Sequence, residues 1–180
     1  TGIDRPETVI SLIERGHADA APLAEFIPLR QSTRREFDAR AVPASELRKL
    51  EEAATGRGVE ARVVSNGTER SLLEAMTLEA NAAQVSSREF REELKQWMRF
   101  NAAEAKARGD GLFSACSGNP ELPTWLGQRL FDWFFTVKSA NEKLAREMSS
   151  ASGFILLHTA EYTPGQWIEV GRSLQRLALQ

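Results

Sequence analysis

The sequence is poor in the residues that build covalent and metal sites. It carries one cysteine, Cys116, and two histidines, His17 and His158, in 180 residues. An intrachain disulfide needs a second thiol and a thiolate zinc site needs several, so both are excluded, and no metal role is expected. No stretch approaches the roughly 18 consecutive apolar residues of a membrane span, so no membrane partner is expected. Charge of one sign is scarce too, with 23 basic against 25 acidic residues for a net −2. Affinity for nucleic acid rests on neutralised phosphates, and without a basic excess no nucleic-acid partner is expected. No cleavable leader opens the sequence, which makes a cytoplasmic location the default expectation. A Gly-rich phosphate loop, a Walker sequence, a Ser-His-Asp set and paired carboxylates are also missing, and no residue is assigned a catalytic role.

What is present suits a globular core. A hydrophobic share of 42% with 27% charged residues argues against disorder. A chain of this length buries roughly 70% of its unfolded surface, enough for one domain or one domain with an arm. The expected division is an N-terminal helical arm over 1–28 and a domain over 29–180. Pro6 opens an amphipathic stretch at 7–15 that Gly16 ends. The Ala- and Pro-rich 17–28 stretch reads as an arm or a short second helix.

Helical spacing begins after Pro43, with Leu47, Leu50 and Ala54 at three- and four-residue intervals, and Gly56 and Gly58 stop it. Residues 59–65 alternate and are β-branched, which predicts a half-buried strand. Asn66 with Glu69, Ser86 with Glu89, and Thr163 with Gln166 predict three capping boxes. The first helix is expected to bury Leu72, Met76, Ala80 and Ala83. The second starts with Phe90, Leu94 and Trp97 and can be prolonged through 101–106. A Gly-, Ser- and Pro-rich loop at 109–123 follows, of a length often tied to function. A long helical pattern runs from Thr124 to Met148. Its aromatic first part, Trp125 to Phe135, reads as core, as dimer surface or as a cover for a ligand. Residues 153–157 are continuously apolar and predict a central strand covered on both faces. The last helix is expected to bury Trp167, Val170, Leu174 and Leu177. No stop signal precedes Gln180, so the sequence reads as ending inside a helix, as a partial chain would. The two strands lie about ninety positions apart, and a lasting sheet needs a third from 17–42, a partner chain or a further tail. The fold class is α+β, helix-rich with a small central antiparallel or mixed sheet.

Chemistry concentrates in residues 29–37, Leu-Arg-Gln-Ser-Thr-Arg-Arg-Glu-Phe. Arg30, Ser32, Arg34 and Arg35 can hold a phosphate or the polar edge of a flavin, because guanidinium forks match phosphate oxygens and a hydroxyl adds a short donor. A solvated basic turn is the other reading of the same spacing. His158 reads as a packed or edge histidine and Cys116 as an inert loop thiol.

Arg30-x-Ser32-x-Arg34, then Phe37, then Val42-Pro43 and a helix ending Ala53-Ala54, resembles the opening of the nitroreductase superfamily of FMN flavoproteins. Phe37 sits one place later than in many members. The Asn-x-Gln-Pro-Trp loop that usually follows is replaced by Thr55-Gly56-Arg57-Gly58. In this respect the chain is most similar to the second half of Acg-like nitroreductases. Glu93-Leu94-Lys95-Gln96-Trp97, Asp110-Gly111 and the helix carrying Gly171 to Arg176 match that half as well, so the similarity spans 29–180. The resemblance implies a nitroreductase-like fold with FMN as cofactor, in which Arg30, Ser32, Arg34 and Arg35 contact the flavin. It also implies pairing, as a homodimer or with a second nitroreductase-like half, and an NAD(P)H-dependent oxidoreductase with a small-molecule electron donor and acceptor. Family proteins continue past the last helix to further flavin contacts, so the domain is expected to be incomplete at its C-terminus. A noncatalytic flavin-binding or lid-forming relative, with 100–123 as the cover, and a cofactor-free helical interaction module are the alternatives.

Overall fold

The computed structural model describes residues 23–32 and 34–180. The expected helix at 7–15, most of the arm and Thr33 lie outside the described residues. A 3-10 turn spans Ala24–Leu29, and an extended segment leads to α1 (Ala44–Ala54), β1 (Val59–Val64), α2 (Gly67–Ser86) and α3 (Arg88–Trp97). Then come β2 (Met98–Arg99), α4 (Ala102–Arg108), β3 (Leu112–Phe113), a 3-10 turn at Ser114–Ser117, α5 (Thr124–Phe134), α6 (Val137–Ser150), β4 (Phe154–Thr159) and α7 (Pro164–Ala178). The class is α+β, helix-rich with few strands.

β1 and β4 pair antiparallel, with Val59 opposite Thr159 and Val64 opposite Phe154, while β2 and β3 form a separate parallel pair. Among the described residues β1–β4 gains no third strand. The expectation of a central strand at 153–157 is therefore corrected. Phe154 to Leu157 are half-buried, because one edge and part of a face stay uncovered.

The tightest packing lies where α1, β1 and α7 meet. Ala54 and Ser173 are fully buried and Val59 nearly so. Small side chains allow the backbones to approach, and Arg176 ties the helices by donating to the Ala53 carbonyl at 3.2 Å and to Ser173 Oγ at 2.8 Å. The turn into β1 depends on Gly58, whose φ is +78° and where any side chain would strike the Gln166 amide. On the other side α2 packs along α6. Asn81 donates to Asn141 at 2.7 Å, and Asn141 donates to the Leu78 carbonyl at 3.1 Å. Arg70 closes the end of α6, donating to the Met148 and Ala151 carbonyls at 2.8 and 3.0 Å while its guanidinium lies 4.9 Å above the Phe154 ring.

These polar anchors rotate two helices away from the expected faces. In α2, Leu72 and Met76 are exposed, and Leu73, Leu78, Asn81, Ala82 and Val85 face inward instead. In α7, Trp167 and Leu174 are exposed, because Ser173 takes the close approach that a large side chain could not fit. The caps also differ in part. Thr163 accepts from the Gln166 amide as expected, and Pro164 opens α7. Ser87, not Ser86, caps α3 by accepting from the Phe90 amide at 3.2 Å. The Asn66 side chain makes no cap bond, and Glu69 pairs with Arg62 instead. Asn101 caps α4 as a separate helix, so α3 is not prolonged. The long 124–148 pattern is two helices, parted by a reciprocal box in which Ser139 N–H donates to Thr136 Oγ1 and Thr136 N–H to Ser139 Oγ.

Candidate functional site

α3, β2, the β3 turn, α5 and α6 enclose a cavity of 520 Å³. Its walls are apolar and ring-rich, with Leu94, Met98, Phe100, Phe131, Phe134 and Phe135 among them. Phe131 and Phe135 stack at 4.6 Å. Gly127 of α5 lies against the Phe100 ring, and a methyl in its place would collide with it. Between the lining residues Met98 and Phe100, Arg99 is almost wholly buried and pairs with Asp110 at 2.7 and 3.0 Å while donating to the Gln96 carbonyl at 2.7 Å. A buried charge needs this degree of satisfaction, and meeting it fixes β2 against β3.

Arg34, Lys143 and Arg146 line the same cavity and are exposed or half-exposed, so they mark its solvent side. Lys143 donates to the Ser117 carbonyl at 3.0 Å and Arg146 to Glu36 Oε1 at 3.0 Å. A neighbouring groove of 370 Å³ shares Lys143 and Arg146 and adds Arg35, Glu36 and Glu147. Four cations against two carboxylates leave this rim positive. Arg35 donates to the Ala115 carbonyl at 2.9 Å, tying the 30–37 segment to the 3-10 turn in the cavity wall.

The four residues singled out in the sequence therefore divide. Arg34 lines the cavity and Arg35 its adjoining groove. Arg30 and Ser32 lie outside both linings, exposed, with Arg30 donating to Ser32 Oγ at 3.3 Å. Lys143 and Arg146, in the charged second half of the 124–148 pattern, carry no sequence motif that marks them. Their three-residue spacing on the face that carries Ser139 and Ala140 is the signal that could have found them. Ser114 carries no sequence signal either. It is 2% exposed, lines the cavity, and its Oγ has no hydrogen-bond partner. Cys116 is exposed and outside the lining. His158 is exposed on β4, with Nε2 3.4 Å from Glu60 Oε2. Trp125 and Trp133 of α5 are exposed and outside the lining, Phe134 is equally exposed but lines the cavity mouth, and half-buried Phe135 lines it too.

The cavity falls within the size range of small-molecule sites, roughly 300–1,000 Å³. Aromatic walls suit a planar ring and the cations of the rim suit an anion. Among the described residues no group of His, Cys, Asp or Glu is placed to hold a metal ion, and no helix is long and apolar enough to cross a membrane. No family model, curated protein or solved structure matches the chain.

Proposed function

We propose that this chain is an FMN-binding flavoprotein of the nitroreductase type, akin to the second half of Acg-like proteins. One observation carries the reading. Arg34, from the segment that resembles the family's flavin contact, lines an aromatic cavity together with Lys143 and Arg146. The three cations would take the phosphate, since charge-assisted bonds from guanidinium and ammonium groups are the strong ones. Phe131, Phe134 and Phe135 would offer ring faces to the isoalloxazine and exclude water from it. Arg35 would act by holding the 30–37 segment on the cavity wall through the Ala115 carbonyl. Arg30 and Ser32 would reach the flavin from outside the cavity, where a paired copy or a second nitroreductase-like half completes the site. When bound, FMN supplies the redox chemistry, accepting hydride from a nicotinamide donor and passing electrons to a small acceptor. Exposed Trp125, Trp133 and Phe134 support pairing.

Titration of the purified chain with FMN, followed by flavin fluorescence, tests the reading. Saturable binding that weakens in Arg34→Ala supports it, and the absence of binding removes it. A noncatalytic, lid-covered relative is a second reading, favoured by the 100–123 segment. Leu112, Ser114, Asn119 and Pro120 of that segment form one wall of the cavity, as a cover would. NAD(P)H oxidation with a nitroaromatic or quinone acceptor separates the two, since sustained turnover contradicts the lid.

A further inference from the structure

A second concentration of positive charge lies apart from the aromatic cavity. The turn between α1 and β1 and the last turns of α7 form a groove of 320 Å³, lined by Arg57, Arg172, Gln175, Arg176 and Leu179. It shares no lining residue with the cavity, and no carboxylate lines it among the described residues. Glu169 stands beside it, and its Oε1 is met by Arg172 at 2.7 Å and by Arg57 at 3.8 Å, so two guanidiniums converge on one oxygen. Three cations against that carboxylate leave two charges unbalanced. Arg172 and Arg176 also stand four residues apart on α7, a spacing at which like charges repel. The carbonyl end of α7 favours a cation, but Arg176 meets that need while donating to the Ala53 carbonyl and to Ser173.

Arg57 is brought to the groove at a conformational cost. Gly56 and Val59 exchange backbone hydrogen bonds at 2.9 and 3.0 Å, and the residues between them, Arg57 and Gly58, have φ of +53° and +78°. This is the type I′ pattern, in which asparagine, aspartate and glycine are preferred because the left-handed conformation is unfavourable for most side chains. Such strain collects where a side chain serves something other than the fold. We propose that this groove binds a phosphate-type oxyanion, as the inorganic ion or as the phosphate of a small organic ester. Arg57 and Arg172 are exposed and present guanidinium forks to it. Gln175 adds a carboxamide donor, and Arg176, immobilised by its two bonds, supplies fixed charge. A dianion balances the two unmatched cations. The proposal goes beyond flavin binding and does not depend on it.

The test titrates the full chain with inorganic phosphate and with glycerol phosphate at fixed ionic strength, reading affinity by calorimetry and stability by thermal melting. Saturable binding that chloride does not reproduce is expected, and the tighter of the two probes names the source of the oxyanion. Arg57→Asn is expected to weaken phosphate by about 10-fold or more, the size of a lost charge-assisted hydrogen bond. The same change should raise the phosphate-free melting temperature, because asparagine suits the turn. Arg172→Gln should lose a similar factor without that gain, and Arg34→Ala, at the aromatic cavity, should leave this binding unchanged. No binding by the parent chain, unchanged affinity in both groove variants, or loss in Arg34→Ala in their place overturns the proposal. A lower phosphate-free melting temperature in Arg57→Asn assigns that arginine to the fold and also counts against it.

Discussion

The two ends of the molecule differ in how closely their elements pack. Around β1, β4, α1 and α7, and along the α2–α6 contact, long polar side chains reach specific carbonyls. Arg70 serves Met148, Ala151 and Ser65, Arg176 serves Ala53 and Ser173, and the Asn81–Asn141 pair serves Leu78. Around α3, α5 and the β3 turn polar anchors are present too, the Arg99–Asp110 pair and Asn101 on the Leu122 carbonyl among them, but the helices leave space between them. A cavity stays open there, and Trp125, Trp133 and Phe134 are exposed. The difference lies in how closely the elements approach: the first end is packed and the second leaves room where a ligand or partner can enter.

The largest effects should come from breaking the packed end. Arg70→Met removes three carbonyl bonds and the contact over Phe154, and is expected to destabilise the chain by about 3–4 kcal/mol in urea unfolding. Gly127→Ala tests the other end from within. Its methyl would push on Phe100, at an expected cost of about 1–3 kcal/mol, and would also distort the cavity. Flavin affinity should therefore fall by more than the loss of stability accounts for, as parallel melting and titration would reveal. Trp133→Ser should change monomer stability by no more than about 0.5 kcal/mol, because the ring is exposed. If pairing uses α5, sedimentation of that variant should show dissociation without unfolding.

The smallest effect concerns pH. The backbone amide at the start of α3 and the Ser87 hydroxyl hold the Glu89 carboxyl below its ordinary range. A depressed carboxylate adds stability above its unfolded value, and that contribution is lost as pH falls through the folded value. Glu89→Gln should thus flatten the melting temperature between neutral and acidic pH, relative to the parent, with little change at the acidic end.

Much of the fold was legible because local chemistry decided it. The spacing after Pro43 located α1, the β-branched alternation located β1, and Thr163-Pro164 located the start of α7. Helix faces were less legible, because tertiary polar anchors chose them. Hydrophobicity favoured Leu72, Met76, Trp167 and Leu174, whereas Arg70, Asn81 and Ser173 took the interior through carbonyl bonds and close approach. The break at Thr136 was hidden by continuous apolar residues, and only the Thr-x-x-Ser spacing marked it. In the site, Arg34 and Arg35 stood out by residue type. Lys143 and Arg146 did not, since a basic pair on a helix resembles a solvated face until the fold sets it beside Arg34. Ser114 could not be found from sequence, because what distinguishes it is the partner it lacks.

The central claim is that Arg34, Lys143 and Arg146 form the phosphate rim of an aromatic flavin site. The most direct test is the ratio of FMN to riboflavin affinity in the full chain and in the Arg34→Ala/Arg146→Ala double variant. Two lost charge-assisted bonds are expected to lower FMN affinity by roughly 100-fold or more while leaving riboflavin within a few-fold, so the ratio collapses towards one. Equal affinity for the two flavins in the parent chain, or no affinity for either, would contradict the account.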